Sequence, residues 1–150
     1  MKTDNRSSGT RFEQAFAAIL SVNGFWAHVM QQNKAGQPAD IIAIRGKFRT
    51  LIDCKEISDL SDGFPFKRVE ENQRLAMEKF FKVAHELCYF ALKLPVPDGE
   101  DPLSNIRMIS YSRIKSIESG GSKSLTPNML MEDTWSLETW LEASRTWAED

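Results

Sequence analysis

Helical and strand-like spacings of apolar residues alternate along the chain. Phe12, Phe16, Ile19 and Leu20 recur at helical spacing until Gly24 stops the run, and Thr10-Arg11-Phe12-Glu13 has the spacing of a capping box. A first helix over residues 10 to 23 is therefore predicted. Phe25 to Met30 is a short apolar run that reads as a strand, and Gln31 to Pro38 is a polar loop. Ala39 to Arg45 and Phe48 to Ile57 read as two further strands. The link between them, Gly46-Lys47, suits a type II′ hairpin turn with glycine first.

Beyond a loop from Ser58 to Phe66, the stripe Val69, Gln73, Ala76, Phe80, Val83 and Leu87 marks a long helix over about 67 to 87. Cys88 to Val96 and Ile106 to Ile114 read as strands, and Leu137, Trp140, Leu141 and Ser144 lie on one face of a final helix. The order helix, three strands, helix, two strands, helix predicts an α/β fold, a mixed five-stranded sheet flanked by helices. Residues 1–150 are expected to form a single domain, with a core over about 9–115 and an acidic helical segment over about 128–150.

Composition narrows the class. With 41% hydrophobic and 27% charged residues, and only 8 Gly and 6 Pro, the chain is globular rather than disordered or fibrous. No run approaches the roughly 20 apolar residues that span a bilayer, and Met1 to Thr10 is polar, so a cytoplasmic protein is expected. Cys54 and Cys88 lie in apolar stretches and read as buried thiols, without a spacing that would pair them with His28 and His85 around zinc. The net charge is -2, but it is unevenly placed. Residues 128 to 150 hold Glu132, Asp133, Glu138, Glu142, Glu149 and Asp150 against Arg145, which leaves 18 bases against 15 acids elsewhere. A mildly basic body is compatible with nucleic acid.

The hairpin carries the chemistry. If Gly46 and Lys47 form the turn, Asp40 lies across from Asp53, and opposed side chains in an antiparallel pair have Cβ atoms about 4.5–5.5 Å apart, where like charges destabilise. Alternation puts Lys55 on the same side as Asp53, with Ile52 and Cys54 on the other. Two hard oxygen donors at short range suit Mg²⁺, which takes one or two carboxylates and completes its shell with waters and phosphate oxygens. The main-chain carbonyl of Cys54 could add a ligand, and Lys55 could hold or deprotonate an attacking water. Such a set equips a protein for phosphodiester hydrolysis. The simpler alternative is a strand-initiating Asp40 and a plain Asp53–Lys55 ion pair.

The ordered pattern Gly9-x-Arg11-Phe12-Glu13 on the first helix, Pro38-x-Asp40 and Asp53-x-Lys55 resembles the PD-(D/E)XK nuclease superfamily. Within it, Phe64-Pro65-Phe66 followed by Gln73 is similar to RecU-type Holliday junction resolvases, over about Gly9 to Leu92. The resemblance implies a restriction-endonuclease-like core, Mg²⁺ (with Mn²⁺ as substitute) and a homodimer cutting branched DNA in recombination or repair. It implies that Asp40 and Asp53 hold metal, that Lys55 is the catalytic lysine, that Glu13 supports the metal directly or through water, and that Gln73 orients the site. Asp53 stands where the family usually has Glu. The interval from Gln31 to Pro38 lacks the long stalk insertion of the RecU type, and this short form also resembles archaeal resolvases and small phage or mobile-element nucleases.

Individual residues have competing readings. A capping box alone accounts for Glu13, whereas Gln73 on an apolar stripe requires a buried partner. Arg11, Lys34, Arg45, Lys47, Arg49, Lys67 and Arg68 are candidates to neutralise DNA phosphates, although each could equally be a solvated surface charge. Apolar residues of the C-terminal helix are the first candidates for a dimer interface. Other expected readings are a nuclease for flaps, ends or short duplex sites, and a non-catalytic DNA-binding module on a nuclease-like fold.

Overall fold

A computed structural model describes residues 5–30 and 39–149, with side chains from Arg11 onward. Helix α1 (Asn5–Val22) leads into strand β1 (Trp26–Val29), then the hairpin β2 (Ile41–Arg45) and β3 (Phe48–Glu56). A short strand β4 (Phe64–Pro65) and a 3₁₀ turn over Phe66–Arg68 precede α2 (Glu71–Ala84). Strands β5 (Tyr89–Lys93) and β6 (Ile106–Ser110) follow, then α3 (Tyr111–Ser119), β7 (Ser124–Leu125), α4 (Pro127–Glu132), β8 (Trp135–Ser136) and α5 (Leu137–Glu149). The main sheet has the order β1-β2-β3-β5-β6-β8, and β4 pairs with β7 in a separate two-stranded ladder. Among the described strands only β3 and β5 pair in parallel, joined by the crossover through α2. The mixed sheet flanked by helices is as expected, with β8 added as a sixth strand.

Each face of the sheet has its own core. Ile41, Ala43, Ile52, Ala91 and Met108 pack against Phe12, Phe16 and Leu20 of α1 and Trp140 of α5. On the other face Leu51, Phe90, Leu92 and Ile109 pack against Met77 of α2 and Ile114 of α3. Trp140 is fully buried and lies within 5.7 Å of Phe25 and 5.3 Å of Tyr89, ring centre to ring centre. The acidic C-terminal segment is thus part of the core. Among the described residues no helix is long and apolar enough to cross a membrane.

Several sequence readings need correction. Helix α1 begins at Asn5, so Thr10 is an interior residue and cannot cap it; Glu13 loses its structural explanation. Lys67 and Arg68 lie in the 3₁₀ turn, and α2 is capped instead by Glu70 and Gln73, a reciprocal box that stops the helix from starting earlier. Val83, expected on the buried stripe, is 72% exposed. The strand expected over Ile106 to Ile114 ends at Ser110, whose hydroxyl accepts from the Arg113 amide and starts α3. Tyr111 and Ile114 are then buried at helical rather than strand spacing.

Candidate active site

The hairpin has the expected register. Arg45 pairs with Phe48 and Ile41 with Ile52, and Gly46 has φ +55, as a type II′ turn requires at its first central residue. Strand β3 is longer than β2, so its end overhangs where β2 begins. Asp40 fills that step. Its amide donates to Ile52 O at 3.1 Å, its carbonyl accepts from Met30 N at 2.8 Å, and its Oδ2 accepts from the Cys54 amide at 2.7 Å. The N–H and C=O of one extended residue point to the same neighbour. The Cys54 carbonyl is therefore directed to the Asp40 side, as a metal ligand would need.

Asp53 is 1% exposed, and its Oδ1 accepts from Gln73 Nε2 at 2.9 Å. Its Oδ2 lies 3.0 Å from Lys55 Nζ, a charge contact that is not aligned as a hydrogen bond, so this buried oxygen keeps unused lone-pair capacity. Gln73 Oε1 faces the Glu70 amide at 3.3 Å and Lys55 Nζ at 3.5 Å. The first turn of α2 is thereby tied to the end of β3. Cys54 packs on the α1 side, opposite Asp53 and Lys55.

Glu13 enters from α1 and shares a hydrogen bond with Asp40. Burial, then the charge of Asp40 and that hydrogen bond, push its carboxyl up to about 8, with Lys55 opposing. Asp53 is raised well above the ordinary carboxylate range, first by burial and then by Asp40, again with Lys55 opposing. Both shifts express one situation: Glu13 and Asp53, crowded with Asp40 around one ammonium, hold protons they would release in water. The Cys54 thiol is pushed up by burial and by these acids, which leaves it protonated and unreactive.

Among the described residues no three His, Cys, Asp or Glu side chains form a complete metal cage. A cage is not required for Mg²⁺, which is commonly held by one or two carboxylates with waters and substrate oxygens. The donor set is all oxygen, and an open lone pair on buried Asp53 faces it. These residues fit a hard divalent cation.

The structure therefore brings together Glu13, Asp40, Asp53, Cys54, Lys55 and Gln73. The cationic candidates are dispersed. Arg45 donates to Ser144 Oγ at 2.9 Å and lies over the Phe25 ring, so it ties the hairpin to α5. Lys47 sits in the turn, about 20 Å from Asp53 at roughly 3.3 Å per residue. Arg68 donates to Glu56 O at 2.9 Å and covers the Phe64 ring, and Lys67 is exposed beside it. Arg49 is exposed and donates to Ala84 O at 3.2 Å. Arg11 lines a depression of about 340 Å³ with Phe12, Glu56 and Lys93, near the overhanging end of β3. Lys34 lies outside the described residues.

Sequence reasoning missed Lys93, which pairs with Glu56 at 3.0 Å in that depression, and the stacked pair Trp26 and His28 on β1. The alternation of β1 carried the second signal, because residues 26 and 28 share a face.

No protein-family model matches the sequence, and no curated protein matches it. Among solved structures the chain is similar to Hjc, a Holliday junction resolvase from the archaeal hyperthermophile Archaeoglobus fulgidus. The TM-score is 0.54, with 23% identity over 70% of this chain and 78% of that one. The likeness establishes the fold: a mixed sheet flanked by helices, as in Hjc.

Proposed function

We propose that this chain is a divalent-metal-dependent endodeoxyribonuclease that hydrolyses phosphodiester bonds in branched DNA. The observation that carries the reading is the convergence of Asp40, Asp53 and Lys55, with an unsaturated oxygen on a buried aspartate. Folding alone gains nothing from it, since opposed acids destabilise a strand pair. The fold shared with Hjc, itself a Holliday junction resolvase, supports DNA and branched substrates in particular. The short interval between β1 and β2 sides with resolvases that lack the stalk of the RecU type.

Asp40, Asp53 and the Cys54 carbonyl would hold Mg²⁺ or Mn²⁺, with Glu13 assisting directly or through water. Such a cation, when bound, stabilises negative charge on phosphate oxygens and acidifies water. Lys55, fixed by Asp53 and Gln73, orients the attacking water and, as an ammonium, can give a proton from Nζ to the departing oxygen. Gln73 holds Asp53 Oδ1, so that Oδ2 stays directed into the site. Glu13, bonded to Asp40, holds a proton that must leave when the carboxylates take up a cation.

A homodimer would set two such sites against the two strands of a symmetric junction. The apolar residues of α5, expected at that interface, are instead used internally: Leu137 and Trp140 are buried and Leu141 and Trp147 pack against the same core.

The test is cleavage of an end-labelled four-way junction in Mg²⁺ by the wild type, Asp53→Asn and Lys55→Ala. Nicking by the wild type alone is expected. Equal cleavage by all three removes the mechanism, and a wild type that binds the junction without metal and never cuts it is a DNA-binding module.

A further inference from the structure

The sheet face that carries Asp40 and Asp53 is covered by α2 and α3 across β3, β5 and β6, and Met30 and Ile42 pack partly against that cover. Among the described residues, Trp26, His28 and Ile44, farther along β1 and β2, are exposed on it. Strand pairing lays the side chains of that face out in rows. His28 pairs with Ile42 and Trp26 with Ile44, while Ile42 pairs with Leu51 and Ile44 with Arg49. Met30, bonded to the Asp40 carbonyl, continues the pattern at the site itself. Two residues along a strand advance about 7 Å and adjacent strands lie about 4.8 Å apart. His28 is therefore one step from the carboxylates, Trp26 two, and Arg49 stands two strands across from Trp26.

Trp26 is 59% exposed, Ile44 is exposed beside it, and His28 is exposed too. The indole and imidazole rings lie nearly parallel, 9° apart with centres 5.9 Å apart. Single exposed apolar residues are ordinary on a protein surface. Two aligned rings exposed on that face, leading away from a candidate phosphodiester site, are a platform. The charges that β1, β2 and β3 place on this face outside the acids of the site are Arg49 and Lys55, both cationic, with Glu86 close enough to feel Arg49. The face is thus apolar and aromatic with a cationic border, complementary to a nucleotide.

We propose that Trp26 and His28 form a stacking ledge for an unpaired nucleobase adjacent to the bond cleaved at the carboxylate site, with Arg49 meeting a neighbouring phosphate. The inference rests on the nuclease reading and makes its substrate narrower. In a duplex each base face is covered by its neighbours, so only a base outside the stack can lie on an indole. The preferred substrate then has one or two unpaired nucleotides at the cut, as at a flap or an opened branch point, rather than paired bases throughout.

The test uses the full chain and two matched branched DNAs, one with two unpaired nucleotides at the branch and one paired to the branch point. In Mg²⁺, the wild type should favour the unpaired substrate. Trp26→Ala should collapse that preference by about 5- to 150-fold, Trp26→Phe should restore most of it, and Leu75→Ala, an exposed apolar residue on α2, should leave it as in the wild type. A second arm needs no metal. With 2-aminopurine as the unpaired base, binding to the wild type should change its fluorescence and binding to Trp26→Ala should not.

A wild type that cuts both substrates with a preference unaltered in Trp26→Ala overturns the ledge while the nuclease reading stands. A wild type that cuts neither in Mg²⁺ or Mn²⁺ overturns the nuclease reading, and the aminopurine arm then reports on the ledge alone. If light scattering shows a dimer that Trp26→Ala converts to monomer, the face is occupied by a second copy of the chain, and the ledge is likewise overturned.

Discussion

Asp40→Asn should make the metal-free protein more stable. The substitution keeps an acceptor for the Cys54 amide, which Asp40 Oδ2 binds at 2.7 Å, and it removes one charge from a cluster of three acids. Carboxylates on facing strand positions stand about 5 Å apart, where two unit charges at an effective dielectric near 20 repel by about 3 kcal/mol, a cost that Asp53 reduces in part by keeping its proton. Lys55, 3.0 Å from Asp53, offsets part of this. A net gain of about 1–3 kcal/mol at pH 8.5 follows, or roughly 3–10 °C in Tm for a domain this size.

The gain should depend on pH in a definite direction. Glu13 holds its proton up to about 8 in the folded chain, against 4.5 in the absence of its neighbours. Between those values the folded state binds more protons than the unfolded one, so wild-type stability falls as pH rises through the window. The difference between wild type and variant should therefore be largest at pH 8.5 and shrink towards pH 5. Saturation with Mn²⁺ at about 100 times its Kd should add about 2.7 kcal/mol to the wild type and far less to the variant, inverting their order. Thermal melts by circular dichroism, with and without metal, decide the matter. A correctly folded Asp40→Asn that melts below the wild type at pH 8.5 without metal refutes the idea that repulsion is stored at this site.

Three further outcomes are expected. Lys55→Ala should lower junction cleavage by about 10²–10⁴-fold while Mn²⁺ still raises Tm; a variant retaining a tenth or more of wild-type rate denies Lys55 its role in moving the proton. Mn²⁺ affinity measured by calorimetry should strengthen from pH 6 to pH 8.5 with release of protons, because Glu13 must ionise near 8, and Glu13→Gln should flatten that dependence; an affinity independent of pH in the wild type contradicts the proton held by Glu13. Arg45→Ala should destabilise the fold by about 1–3 kcal/mol through loss of its Ser144 bond and leave the salt dependence of DNA binding unaltered, whereas Arg49→Ala should reduce that salt slope by about one. The reverse assignment of the two arginines would show up directly in the same titrations.

Features set by short-range geometry were legible in the sequence. A glycine-led turn fixes the hairpin register, and register with alternation brings Asp40, Asp53 and Lys55 to one face. Gln73 was legible because a polar residue on an apolar stripe must find a partner, which proves to be Asp53. The start of α1 was not legible, since the Thr10 to Glu13 spacing imitates a cap inside a helix that begins earlier. Nor was α3, because apolar alternation through Ile106 and Met108 passes without a break into helical spacing at Tyr111. The purpose of Arg45 depends on Ser144, which is remote in the chain, and no local pattern reports a contact of that range. Strands of two residues such as β7 and β8 are too short to show a period.

The hairpin has one fixed end and one uncompensated end, and the division of labour follows from strand length. At the turn, Lys47 N donates to Ala148 O at 2.9 Å, Arg45 binds Ser144, and a Cβ on Gly46 would meet Ala148 O at 2.5 Å. That end is pressed against α5 and cannot shift without losing these contacts. At the other end β3 outruns β2, so the Cys54 amide has no strand partner and is taken by an aspartate side chain. Any residue with an acceptor could satisfy that amide; asparagine would do so without charge. An ionisable group there, facing a second acid that is 1% exposed, is destabilising until something cationic arrives. Lys55 supplies one positive charge against three acids, so once Glu13 and Asp53 give up the protons they hold, the cluster is short of neutrality by two charges, which a divalent ion supplies. The rigid turn holds the register against the repulsion at the overhang, so the acids cannot relax apart by slipping a residue. Stability lost at the overhang is thus retained as affinity for the ion that completes it.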